Sequence, residues 1–517
     1  DGAALAVLAL LSRRKGRGSR GVTARAAVAA PVRRAPPQAA PAGSAPSWRE
    51  RFWFPVASLR ELDPLRPTPV RIDGLDLVVW RVPDSSEGEA QQEASDEEEG
   101  RRWRVFLDAC PHRLAPLSEG RLEPRTGCLQ CAYHGWEFDS CGSCTRIPQV
   151  AEEPAKQMRA SPRASATSFP VEAALGCIFV WLGEGPPVGT PSALARGTYV
   201  EDMNVASTYT RDVPYGYDSL LENFVDVSHI PFAHHNLQGT RDDARPITMT
   251  MPQVQLTADD PDGGDLLSFS FEDHTMGKDR AANFQLRSPF LFAYDGGYVT
   301  EETRGKDPSE EEQDKAGRFR LSILCVPVAP GHSRMIILNT RPRNDARSGI
   351  FKLLPKWAIH LLSNRFIDSD LAFLHYQERN LRRFPETPAD WKEGYYMPAD
   401  SDRSIGAWRR WLAREGARCI TPGPGCELPP SPDRETLLNR YEQHTKHCVH
   451  CQEGLRTLET WQYSAGGLGF VALALDRLGV EPEPLWLVLQ FLAVAGVVGI
   501  NRIRQEFYFV DYEHYKT

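Results

Sequence analysis

Cys110-Pro111-His112, followed after eighteen residues by Cys131-Ala132-Tyr133-His134, is the pattern that most restricts what this chain can become. Two Cys-His pairs face each other across a Gly-bounded segment. Two thiolates and two imidazoles suit a [2Fe-2S] cluster in which two histidines replace two cysteines on one iron. Neutral imidazole ligands raise the potential above that of an all-thiolate cluster and let electron transfer couple to a proton. The competing reading is structural zinc, because Cys128-x2-Cys131 and Cys141-x2-Cys144 form a C-x2-C-x9-C-x2-C array. It leaves Cys110, His112 and His134 without a role. On the cluster reading, Cys128, Cys141 and Cys144 are ordinary thiols or a peripheral disulfide.

Around these residues the chain reads as short apolar runs broken by Pro and Gly: RFWFPVASL, LDLVVWRV, RRWRVFLDAC and GCIFVWLGE. They predict strands of a small β domain. Between two of them, 84–100 is acidic and of low complexity, a solvated hairpin insertion carrying no chemistry. A Pro/Gly-rich linker, EGPPVGTPSALARG, leads to a second region in which LLENFVDVSHIPFAHH reads as helix. ITMTMPQVQLTA, LLSFSFED and FRLSILCVPV alternate as strands of an antiparallel sheet, and a long helix is predicted around Trp357–Arg383. The fold class is α+β. The boundaries read as 1–50, 51–190, 198–415, 416–460 and 461–517.

Within the second region, Asp226-x2-His229-x4-His234 places two histidines and a carboxylate close in sequence. Two histidines plus one carboxylate form the facial triad that leaves positions open for oxygen on ferrous iron. Five residues of ideal helix turn a side chain by about 140°, so the two histidines converge only if Pro231 bends the segment. His235 is the alternative second ligand. The third ligand comes from the helix FIDSDLAFLHYQE, which offers Asp368, Asp370 and Glu378. Asp370 has Phe366, Ile367, Phe373 and Leu374 three and four residues away, whereas Asp368 neighbours Asn364 and Arg365. A carboxylate on an apolar face is expensive unless paired or metal-bound, so Asp370 is the choice.

Composition bounds the rest. With 517 residues, 41% of them apolar, the chain has room for roughly two to three domains. A net charge of −8 and a pI near 6.0 argue against a nucleic-acid partner. Eleven cysteines are too sparse for a disulfide scaffold, and several lie beside histidines, as in a reducing compartment. No internal repeat or nucleotide fingerprint is present, since GGLGF lies in a late apolar segment. Between Gly2 and Arg49 there is no acidic residue while arginines recur among Ala, Ser, Gly and Pro, which is transit-peptide composition. A signal-peptide core at Ala3–Leu11 and a plain disordered tail are the alternatives. Leu485–Ile500 is free of charge and Ala465–Leu475 is a shorter apolar run. Together they predict a membrane hairpin or anchor, against a buried helix packed on the main body. Cys448-x2-Cys451 reads either as a thioredoxin-controlled dithiol or as structural thiols.

CPHRLAPLSEG and CAYHGWEF resemble Rieske oxygenases, and FPVASLRELDPLRPTPVRIDGLDLVVWR, ENFVDVSHIPFAHH, HCVHC and FYFVDYEH resemble the pheophorbide a oxygenase group of plastid Rieske oxygenases. The resemblance covers most of the chain from about Phe52. It implies a small antiparallel-β Rieske domain, a helix-grip-like α+β catalytic domain and C-terminal hydrophobic helices. It implies that Cys110, His112, Cys131 and His134 hold the [2Fe-2S] cluster, and that His229, His234 and Asp370 hold one mononuclear non-haem Fe(II), selecting His234 over His235. Asp226 matches the family's bridging aspartate, which links the cluster of one subunit to the iron of the next in a homotrimer. In the absence of a flavin or nicotinamide motif, ferredoxin is the implied electron donor. The implied reaction is oxygenolytic ring opening of pheophorbide a with O2, in a chloroplast, at the inner envelope or thylakoid membrane. Phyllobilin or protochlorophyllide hydroxylation is the alternative within the family. A redox-sensing component of the plastid import translocon and a pure electron carrier are alternatives outside catalysis. The acidic insert and the Cys141/Cys144 pair depart from the group's usual form.

Overall fold

A computed structural model describes residues 48–83, 96–250, 253–255, 264–300, 318–342, 354–382, 391–415 and 427–514. These residues all belong to one compact unit, Pro46–Thr517. The arginine-rich leader and most of the acidic insert, 84–95, lie outside them, as does part of the 416–460 segment.

The four apolar runs near the start form strands Trp53–Ser58, Leu75–Arg81, Trp103–Leu107 and Cys177–Trp181. Leu75–Arg81 pairs antiparallel with both Thr68–Ile72 and Trp103–Leu107. Side chains alternate across a strand, and here both faces are covered. Leu77, Val79, Trp103 and Val105 enter the large core shared with the rest of the unit. Val78, Trp80 and Phe106 enter a second, smaller core with Leu129, Phe138, Cys110 and Cys131. The acidic insertion joins two directly paired strands, and its last turn is a short helix, Asp96–Gly100. That turn is not merely solvated, because Glu99 accepts from Arg81 at 2.7 Å and from Trp103 Nε1 at 3.2 Å.

The Pro/Gly-rich segment does not isolate two cores. Its 3-10 turn Pro191–Ala195 is largely buried, and one hydrophobic core runs from Trp48 through Trp181 to Leu438. Beyond it lies an eight-stranded antiparallel sheet. Met203–Val213 pairs with His332–Pro342, which is followed in order by Phe319–Ala329, Leu291–Tyr298, Lys278–Arg287 and Leu266–Thr275. Two short strands, Thr248–Met249 and Gln253–Gln255, finish this edge.

The long helix is Lys356–Leu381, and it lies against Met203–Val213 through a polar stripe. His360, Asn364 and Asp368, spaced four apart and so on one helix face, meet Thr208, Tyr209 and Arg211 of the strand. Asp368 is 1% exposed and held between Arg211 and Arg440, each at 2.6 Å. The strand and the Arg440 turn cover this polar stripe, so Asp368 is buried alongside Asp370 although its helix neighbours are polar.

The C-terminal apolar runs extend into two helices, Val449–Arg477 and Glu483–Gln505. They pack antiparallel, with Arg504 on Gln462 and Glu459, Gly496 against Ala465, and Ala493 against Gly469. Gly467 and Gly469 are thus helical, with no phosphate-binding turn. Phe470, Phe491, Leu468 and Leu487 point into solvent, and Pro484–Gln505 is long and apolar enough to cross a membrane, with nearly all of it unburied.

Candidate functional site

The two Cys-His loops close in the same way. Cys110 N–H donates to Ala115 O at 2.8 Å, and Leu114 N–H returns to Cys110 O at 2.8 Å. Cys131 N–H donates to Trp136 O at 2.9 Å, and Gly135 N–H returns to Cys131 O at 3.0 Å. The returning residue adopts positive φ in both loops, +61° at Leu114 and +72° at Gly135; a non-Gly residue there is uncommon and marks a strongly specified turn. Both thiols are buried, His112 is exposed and His134 half-buried, with ring centroids 4.6 Å apart. His112 stacks on Trp136 at 4.7 Å, which fixes its plane. Burial pushes the Cys110 thiol up to about 12, with the Cys131 thiol adding to this and the backbone N–H groups of His112 and Arg113 opposing it. Two buried thiols, Cys110 with backbone amides aimed at its sulfur, beside two outward imidazoles, fit a [2Fe-2S] group whose histidine-bearing iron faces the surface. Among the described residues Cys128, Cys141 and Cys144 are free thiols, so the peripheral disulfide is not formed.

The predicted continuous helix through LLENFVDVSHIPFAHH is broken. Tyr217–Val225 ends at Asp226, whose Oδ1 accepts from Ser228 N–H at 2.8 Å and from its hydroxyl at 2.7 Å. This Asx turn restarts the chain as a single helical turn, Ile230–Ala233, with Pro231 in its first turn. Pro231 therefore opens a new helix, where its missing N–H costs nothing, rather than kinking an old one. His229 and His234 flank that turn and converge with Nε2 atoms 3.3 Å apart. Asp370 Oδ2 lies 3.4 Å from His234 Nε2 and 3.9 Å from His229 Nε2. On the long helix Asp370 sits about 200° round from Asp368, which is how adjacent acids serve different neighbours.

The tautomer of His234 follows from its partner. Ser369 gives its proton to Phe366 O at 2.6 Å, so its oxygen accepts from His234 Nδ1–H at 2.7 Å. Nε2 is left with a lone pair aimed at the centre of the triad. Asp226 Oδ2 lies 3.7 Å from His229 Nδ1, an ion-pair distance rather than a hydrogen bond. Against burial, the carboxylates of Asp370 and Asp226 raise His229 to about 9. The triad thus favours a positive charge at its centre, and two imidazoles with one carboxylate is the donor set of non-haem ferrous iron. His235 faces away and accepts from Arg241 N–H at 3.1 Å. Glu378 is also elsewhere, accepting from Gly216 N–H at 2.9 Å.

Sequence reasoning missed Ser369, whose only local signal is its place between two aspartates. It also missed a second buried group in which His360 and His444 join Cys448 and Cys451, all four ligand atoms lying within 4.8 Å of one another. Burial, then the charge of His450, pushes His360 down to about 3. Of the two histidines in the neighbouring HCVHC motif, His447 is exposed and His450 lies 3.3 Å from Lys356 Nζ.

A protein-family model described as Rieske [2Fe-2S] domain matches residues 52–169, and one described as Pheophorbide a oxygenase matches 297–387. The crystal structure of dicamba monooxygenase bound to dicamba shares the fold at TM-score 0.51 and 17% identity, covering 72% of this chain and 98% of that one. A Rieske domain joined to this α+β domain defines a Rieske oxygenase, an enzyme with one [2Fe-2S] cluster and one mononuclear non-haem iron. Pheophorbide a oxygenase, chloroplastic, of Oryza sativa subsp. japonica is 32% identical over 90% of this chain and 85% of its own length. Flavonoid 8-hydroxylase 2, chloroplastic, of Ocimum basilicum is 31% identical over 90% and 86%. Protochlorophyllide-dependent translocon component 52, chloroplastic, of Arabidopsis thaliana is 31% identical over 78% and 73%. The chain belongs to the family of Rieske oxygenases that contains the pheophorbide a oxygenases, and these relatives are chloroplastic proteins.

Proposed function

We propose that this enzyme opens the macrocycle of pheophorbide a, with Cys110, His112, Cys131 and His134 holding the cluster and His229, His234 and Asp370 the mononuclear iron. The observation that carries the reading is the convergence of those three side chains in a chain 32% identical, along most of its length, to a pheophorbide a oxygenase. When bound, ferrous iron in such a triad supplies open positions for dioxygen. Ser369 holds His234 in the ligating tautomer, and Asp226 orients His229 from the opposite side. In a homotrimer Asp226 would also link to a neighbouring subunit's cluster; the exposed His112, Leu114 and Tyr133 offer a face for that contact. Electrons come from ferredoxin. Residues 51–190 and 198–415 serve as cluster and iron regions, and the apolar hairpin within 461–517 anchors the enzyme in a plastid membrane beside its pigment. This reading favours the chloroplast inner envelope or thylakoid.

The test uses holoenzyme, reduced ferredoxin, labelled O2 and pheophorbide a. Consumption of the pigment with label in a ring-opened product is expected. Turnover of a phyllobilin, protochlorophyllide or a flavonoid in its place would overturn the substrate while leaving the family intact. The flavonoid belongs in the panel because the flavonoid 8-hydroxylase relative is 31% identical over the same 90% of the chain.

A further inference from the structure

We propose that His360, His444, Cys448 and Cys451 form a structural zinc site, distinct from both iron centres, that clamps the C-terminal helical hairpin onto the helix carrying Asp370. His360 Nδ1 lies 3.1 Å from His444 Nε2, which lies 3.2 Å from Cys451 Sγ. Cys448 and Cys451 each place sulfur 3.5 Å from His360 Nδ1. Four atoms bound tetrahedrally at zinc's usual nitrogen and sulfur distances are separated by about 3.3–3.8 Å. The observed spacings therefore suit one shared ion.

Both imidazoles are turned for the task. His360 donates its Nε2–H to Thr208 O at 3.2 Å, and His444 donates its Nδ1–H to Thr210 O at 2.5 Å, both carbonyls being on strand Met203–Val213. Such outward hydrogen bonds fix the ligating tautomer in metal sites. They leave two nitrogen lone pairs facing each other across 3.1 Å. Thiol protons would satisfy one lone pair each, yet the nitrogens would still repel; a cation removes the conflict. Two thiolates and one Zn2+ sum to zero charge, which suits residues that are all 2% exposed or less. Two sulfurs and two imidazoles complete the shell with no position for water, the mark of structural rather than catalytic zinc.

The surrounding backbone serves this geometry. His444 sits in a π-helical turn, Tyr441–Thr445, and Cys448 caps the first hairpin helix. The local apolar core is small: Leu455, Leu458 and Phe507 with the two cysteines, and Gly454 so close to Trp357 that a Cβ would meet its ring at 2.6 Å. A metal joining residues 84 positions apart adds what so small a core cannot supply. A cavity lined by Glu61, Asp212, Gln443, His444 and Cys448 gives the ion a route from solvent.

Metal analysis of the holoprotein, isolated without chelators, is expected to give about one zinc per chain beside the irons. Zinc-edge X-ray absorption should show two sulfurs at about 2.3 Å and two nitrogens at about 2.0–2.1 Å. The Cys448→Ser/Cys451→Ser variant should lose the zinc while keeping the cluster spectrum and mononuclear iron; the wild-type measurements stand alone if it fails to fold. Absence of zinc, a zinc shell without sulfur, a further iron in its place, or a Cys448–Cys451 disulfide after anaerobic alkylation would each overturn the proposal. None of these outcomes depends on the iron-site assignments.

Discussion

Ser369 and His234 are locked in one hydrogen-bonding direction. With the serine hydroxyl donating to Phe366 O at 2.6 Å, the 2.7 Å contact is Nδ1–H donating to Oγ. Ser369→Ala removes that acceptor and frees the ring. Loss of such an outer partner typically costs 10–100-fold in metal affinity, so a fall of about that size in Fe(II) affinity is expected. Fe(II) titration of protein that retains its cluster would measure it, and an unchanged affinity would mean that packing alone orients His234.

Asp370 and Asp368 should fail differently. Asp370→Ala is expected to lose mononuclear iron and keep its fold and cluster. Asp368→Ala leaves Arg211 and Arg440 buried with no shared carboxylate, and removing one member of a buried ionic group costs about 3–5 kcal/mol. Denaturant unfolding and iron content, measured on both variants, separate the two effects. If the Asp370 variant kept its iron and the Asp368 variant lost iron without losing stability, the roles would be reversed.

Iron uptake should depend on pH through His229. Its pKa is raised to about 9 against burial, chiefly by Asp370 and then Asp226. The ion needs the neutral ring, so below that value binding must displace a proton. Apparent Fe(II) affinity is then expected to climb about tenfold per pH unit between pH 6 and 8, because one proton is released. Asp226→Asn should make the climb level off at lower pH. A flat profile in the unaltered protein would contradict a protonated His229 in the metal-free site.

The hairpin can be removed without uncovering the body. Glu506 and Phe507 bond to Arg440 and Thr445, and His514 reaches Ser369 O, so truncation at Ala465 would strip contacts the body needs. Excising 465–499 and joining Ser464 to Ile500 through a short flexible linker keeps them. The shortened protein is expected to leave the membrane fraction with its cluster spectrum intact. Persistence in membranes would assign the attachment to another surface.

The parts that close locally were legible in the residues alone. Each Cys-His loop is completed by hydrogen bonds spanning four or five residues, alternation laid out the strands, and apolar spacing marked the long helix. The His229–His234 pair was equally visible, although its turn was misread: an Asx turn at Asp226 competes with helix more strongly than apolar periodicity reveals. Packing, by contrast, buried a second face of Lys356–Leu381 beside the apolar one. The polar stripe His360, Asn364 and Asp368 finds its partners, Thr208, Tyr209, Arg211 and Arg440, far away in sequence. The same distance hid His360 and His444 from Cys448 and Cys451. Local spacing encodes backbone geometry; which buried polar groups satisfy one another is settled only when helix and strand pack, since each is costly until its partner arrives.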